Sequence, residues 1–586
     1  MTLEVDTELR SEILSKCRSG ELLANLSERR WESSESRNQP AVTAAADIHN
    51  AGDFDLLAEF RTARLADLSG NRFFQAQRFF CELLPFLNGT IEDVSQSVRD
   101  MVERGGHDMM ANAPNNAFRD WCARDAHRPE LALEIARSDL DFDTALLTFA
   151  LEAGAVFDCD KYVTEAIKLS SEPLAHIRLH AITALGRIDC SHDPDLHRKV
   201  LAHLATVVEN AQDDNELAVA TGCLLDRYVS DENLDSPEIE TVLRAAADKA
   251  GDATQCALAD ALRRHGNHLP AGLRDIILSA LVIIDPANKG TINLLDVALT
   301  GMDAEEDWRT IADHIHAMIS GPASEIQLKD FDSLTHDLRT NPGLLHRLLI
   351  HWLVSGDAFA CRQIASQATE VGRDATPVDI DFPNMGLSDT ELVALCARAL
   401  GFLELSPVTA ASILVAAIRT ASAPAQAEIG ELLFDPLLIN YSGVAESYLD
   451  DIANDSGDLA NLTVNNALER RKLYLDDLRS VGNLPELHPS NDNRRAAAER
   501  QRDVQSAANK AADEFSVLSK LVPRSLLLYG NSSATYADRE NSGTLSRNYM
   551  KLATFTTSVE IPRLEIYDPV GFSYRCLRFR RTRQLP

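Results

Sequence analysis

Five arginines, Arg575, Arg578, Arg580, Arg581 and Arg583, fall within nine residues of the stretch "SYRCLRFRRTRQLP" (573–586), interleaved with Tyr574 and Phe579. Guanidinium groups beside aromatic rings can hold phosphates and stack on bases, so the pattern admits a nucleic-acid contact. The same spacing suits a surface strand that buries Leu577 and Phe579 while its arginines lie along the surface with their heads in water. Docking against an acidic protein surface is a third use. These five arginines are the candidate contact residues.

Histidine supplies the other concentration of reactive side chains. His176, His180, His192, His197 and His203 fall within 28 residues, with Cys190 among them. His176 and His180 stand four apart, which on a helix would present two imidazoles to one metal ion. No carboxylate lies between them in "HIRLH", so the metalloprotease pattern fails, and no metal ligand is assigned. The pairs in "DHIHAM" (313–318) and "HRLLIHW" (346–352) fall on different helical faces and are expected to be ordinary helix residues. The acidic run "DAEEDW" (303–308) lacks the order of a calcium loop and is expected to serve a turn and a helix start. No phosphate-binding P-loop, nucleophile elbow or dinucleotide fingerprint is present. The chain is therefore expected to be non-enzymatic and to carry no cofactor.

Charge is divided unevenly. The chain of 586 residues has a net charge of −32. Residues from 490 onward hold 16 Lys and Arg against 10 Asp and Glu, which leaves about −38 on the first 489. An acidic body repels phosphate backbones, so any nucleic-acid contact is confined to the C-terminal region. The ten cysteines are scattered singly with no CxxC pair, as expected of reduced thiols in a cytoplasmic protein. The opening "MTLEVDTELR" has no signal-peptide pattern, and the longest apolar runs are about half a membrane span, so no membrane partner is expected.

What positions these residues is a long succession of helices. From about residue 6 to 475, apolar residues recur at three and four, with Gly, Pro, Asn or Asp every 12–18 residues. In 174–188, Leu174, Ile177, Ala181, Ala184, Leu185 and Ile188 make one apolar stripe, opposite His176, His180, Thr183 and Arg187. "DPDL" then sets Asp193 as N-cap and Pro194 as first helical residue of the next helix. The doubled phenylalanines 73–74 and 79–80 are expected to mark tight packing.

The segment "HIRLHAITALGRI" (176–188) resembles the first helix of HEAT-type repeats, with an Arg after the leading aliphatic residue and Ala-Leu-Gly near its end. "LAVATGCLLDRYV" (217–229) echoes it about 40 residues further on, and "CALADALRRHG" (256–266) about 37 residues after that. That period suits two helices and their turns, stacked on their neighbours. The resemblance implies an α-solenoid, and says little about chemistry.

The reading is a mostly α chain: an N-terminal helical region (1–140), a HEAT-like α-solenoid of helical hairpins (141–475), a linker and polar helix (476–521), and a small β-rich C-terminal module (522–586). The expected function is a scaffold or adaptor that binds a protein partner through its repeats and docks through the C-terminal module, possible self-association included. The alternatives are a nucleic-acid-associated subunit using the five arginines, and a metal-dependent enzyme using residues 176–203.

Overall fold

The computed structural model describes residues 7–23, 35–61, 68, 70–106, 112–138, 145–230, 236–320, 324–371, 377–378, 382–482, 491–515, 526–529, 532–538, 545–551, 564 and 568–582. The described chain is mostly α-helical and divides into two compact units, Met1–Leu344 and Leu345–Pro586.

The first unit opens with α1 (Thr7–Ser19), α2 (Glu35–Asn50), α3 (Leu56–Phe60), α4 (Asn71–Leu83), α5 (Ile91–Gly105), α6 (Ala113–Cys122) and α7 (His127–Ser138). It continues through α8 (Ala145–Ala155), α9 (Cys159–Leu169), α10 (Ala175–Arg187), α11 (Pro194–Asn210), α12 (Asp214–Val229) and α13 (Ser236–Lys249). α14 (Asp252–His265), α15 (Ala271–Leu281), α16 (Lys289–Thr300), α17 (Trp308–Ile319) and α18 (Asp332–Thr340) complete it. Helices two apart in sequence pack side by side. One row runs α4, α6, α8, α10, α12, α14, α16, α18, and a second runs α9, α11, α13, α15. In that first row α6 lies against α8.

Small residues make this close layering possible. Ala181, Ala184 and Leu185 of α10, Ala220 and Leu224 of α12, and Ala261 and Leu262 of α14 are all buried. Gly186, the glycine of the Ala-Leu-Gly signature, lies close against α12. A Cβ there would stand 2.4 Å from Cys223 Sγ and 3.3 Å from its Cα. Phe73, Phe79 and Phe80 are buried as expected and Phe74 only in part, and Phe80 meets Phe60 edge-on with centroids 5.1 Å apart. Asp193 caps α11 through the N–H groups of Asp195 and Leu196, with Pro194 leading.

The stripe assigned to 174–188 needs correction at its start. Leu174 is exposed, at the N-cap, whereas Ile182 and Arg178 are buried. Arg178 reaches the helix-start carbonyls of Glu172 (3.1 Å) and Pro173 (2.9 Å) and pairs with Glu216 on α12 at 3.0 Å. The arginine of the resemblance is thus an internal tie between neighbouring helices.

The second unit contains most of α19 (Pro342–Ser355), then α20 (Ala358–Val371), α21 (Asp389–Phe402), α22 (Pro407–Thr420), α23 (Ala423–Leu432), α24 (Ser442–Asn454) and α25 (Asn461–Val481). α21 packs on α23, α22 on α24 and α23 on α25. Between α23 and α24 the chain bends at Leu433–Leu438, where Asp435 leaves helical dihedrals. α26 (Asn491–Phe515) follows, and its described side chains are exposed, as the paucity of apolar anchors predicts. Three short strands, β1 (Leu526–Tyr529), β2 (Ser532–Asp538) and β3 (Leu545–Lys551), pair antiparallel in that order, with Leu526 opposite Thr535 and Ser532 opposite Lys551.

The ending is not a strand. Residues Pro569–Arg580 form helix α27. Asp568 accepts from the Gly571 N–H at 2.8 Å and Pro569 occupies the first turn, the same start signal as Asp193-Pro194. Leu577, expected inside, is about half exposed, while Phe572 and Cys576, four apart, are buried. Arg578 and Arg580 sit in the last turn, where cations meet the negative end of the helix dipole.

Candidate protein-docking site

α27 lies on α21, and its inner face is made by Phe572, Cys576 and Arg580. The residue that admits it is Gly401, in the last turn of α21. A Cβ on Gly401 would stand 2.9 Å from the Arg580 backbone nitrogen and 3.1 Å from the Cys576 carbonyl oxygen. Phe572 meets Tyr441 edge-on at 6.4 Å between centroids. Arg580 donates through Nε to the Gly401 carbonyl at 2.6 Å, filling an acceptor left open at a helix C-terminus. It also pairs with Glu404 at 3.0 Å and lies over the Phe402 ring at 5.7 Å. Arg575 pairs with Asp435 at the bend after α23.

Two of the five candidate arginines are therefore occupied by carboxylates of their own unit. Arg578 and Arg581 are exposed and make no ion pair among the described residues, and Arg583 lies outside those described. The exposed Arg575–Asp435 pair is worth little, about 0–1 kcal/mol, so the inner face, with half-buried Arg580 and the Gly401 contact, holds the helix. Burial pushes the Cys576 thiol up to about 11. Replacing Gly401 by Val should force α27 off its seat. The check is the alkylation rate of Cys576, which should rise about tenfold or more as local opening becomes easy. An unchanged rate would mean the helix is not held there.

The outer face of α27 is unusual. Val570, Tyr574 and Leu577, at i, i+4 and i+7, are 78%, 64% and 49% exposed. Arg578 and Arg581 extend the same side. A helix with one apolar face seated on its own unit and a second one facing solvent beside two cations can receive an apolar, acidic surface.

No family model and no curated protein matches this chain. No described helix is long and apolar enough to cross a membrane.

The histidine cluster does not converge. His176 and His192 are exposed and His197 is buried on α11. His180 Nδ1 lies 3.3 Å from Thr148 Oγ1, and His203 Nε2 lies 2.7 Å from Ser170 Oγ, with its pKa lowered by burial. Among the described residues, no three His, Cys, Asp or Glu side chains stand together as metal ligands would. Asp303 accepts from the N–H groups of Glu305 and Glu306, the turn role expected of "DAEEDW". Sequence reasoning missed Gly401, Glu404 and Asp435, which lie 140 to 179 residues from their partners and give no local signal.

Proposed function

We propose that this chain is a non-enzymatic scaffold, an α-solenoid of HEAT-like hairpins that binds a protein partner, with the terminal helix rather than a terminal strand as a docking element. The observation that carries the reading is the two-faced α27, whose exposed Val570, Tyr574 and Leu577 lie beside Arg578 and Arg581. Helix-in-groove recognition uses anchors at this spacing. The stacked helices of the first unit and the acidity of the first 489 residues fit a body whose surface is available for protein contacts. The free thiols suit a reducing cytoplasmic setting. The pairing of Arg575 and Arg580 with carboxylates leaves a smaller basic patch than five arginines suggest, which favours protein over nucleic acid.

The test is a tagged purification in gentle salt of the full chain against Tyr574→Glu with Leu577→Glu, both changes on the outer face. Circular dichroism should be unchanged, and a specific co-purifying protein should be lost. If the same proteins co-purify with the variant, α27 is not the docking element. If nuclease-sensitive absorbance is lost instead, the arginines serve nucleic acid.

A further inference from the structure

Two thiols meet in the first unit. Cys159 is the first residue of α9, and Cys190 lies in the turn between α10 and α11. Their sulfurs are 3.9 Å apart. Cys159 is half-exposed, so a small reagent can reach it, whereas Cys190 is 1% exposed and reachable mainly through its neighbour. Closing the gap to a disulfide bond of about 2.05 Å asks each sulfur to move about 1 Å, which side-chain rotation can supply. Cys159 is the first residue of α9 and Cys190 lies outside any helix, so the movement is one of side chains at a helix start and a turn.

We propose that Cys159 and Cys190 are a thiol–disulfide modification site, oxidised by a low-molecular-weight disulfide such as oxidised glutathione. The Cys159 thiolate attacks one glutathione sulfur, forming a mixed disulfide and releasing the first glutathione thiolate, which takes up a proton. The Cys190 thiolate then attacks Cys159 Sγ, and the second glutathione leaves. Two protein thiols lose two electrons and two protons, and one glutathione disulfide becomes two glutathione thiols. The exposed partner is the entry point and the buried one resolves. Burial pushes the Cys159 thiol up to about 12, with Cys190 and Asp189 adding to the rise and Arg227 opposing it. Uncatalysed exchange is accordingly slow at neutral pH. The bond would close a loop of about 30 residues and pin the start of α9 to the α10–α11 turn.

The experiment incubates the purified full chain with oxidised glutathione at pH 8.5, alkylates the remaining thiols, and maps disulfides by mass spectrometry without reduction. The expected product is the peptide linking Cys159 to Cys190, two thiols fewer, reversed by dithiothreitol, with Tm raised by about 5 °C. Cys190→Ser should stop at a glutathione adduct on Cys159, and Cys256→Ser should behave as wild type. The proposal is overturned if native protein yields Cys159 and Cys190 separately modified or unmodified, or if the link forms only after unfolding in guanidinium.

Discussion

Glu216→Ala is expected to destabilise the first unit by about 3–5 kcal/mol, because it leaves the Arg178 cation buried without its counter-charge. Both residues are under 10% exposed. The carbonyls of Glu172 and Pro173 remain as acceptors but supply no charge. The pair itself contributes less than its removal takes away, since both ions were desolvated on folding. The double variant Arg178→Met with Glu216→Leu should therefore recover most of the loss. Thermal unfolding followed by circular dichroism decides the matter. A Glu216→Ala protein that melts with the wild type, or a double variant as weak as the sum of the singles, would show that the pair is not a buried tie.

Acid should act on a second buried group. His314, on α17, is 6% exposed, and its Nε2 has no partner among the described residues. Burial pushes its pKa down to about 4 from 6.5. Between those two values the unfolded chain binds a proton that the folded chain refuses. Stability is thus full above about pH 6.5 and falls as pH drops toward 4, by about 3 kcal/mol in all, with no further loss from this group below that. His314→Leu should remove this component. The measurement is Tm from pH 7.5 to 4.5 for both proteins, and the variant should lose less than the wild type. Parallel curves would mean that the imidazole is accommodated when charged.

Much of the local architecture was legible because its determinants are local. Asp193 and Pro194 start α11 by satisfying one helix terminus and pre-setting one dihedral, and both effects operate within four residues. The same pair, Asp568-Pro569, begins the terminal helix, yet "YDPVG" reads as a turn when Thr- and Tyr-rich strands are expected around it. Alternation and helical spacing differ little over so short a run. Phe572 and Cys576 would have announced the helix had the N-cap been given priority over the neighbouring composition. Arg178 escaped for another reason. A charged residue joins an apolar stripe only when a counter-ion arrives from the next layer, and Glu216, 38 residues away, cannot be assigned from periodicity. The docking seat is harder still, since Gly401 is one small residue among many until the end of the chain is placed on it.

That seat has a consequence for biosynthesis. Gly401 and Arg580 are 179 residues apart, so the surface around Gly401 leaves the ribosome long before its covering helix exists. At about 5–20 residues per second, the interval is about 10–35 s. Throughout it, the apolar patch destined for Phe572 and Cys576 faces solvent on a tethered nascent chain. Another polypeptide that can lay an apolar helix there, a holdase or an assembly partner included, has its opportunity in that interval, before the chain's own helix closes the position.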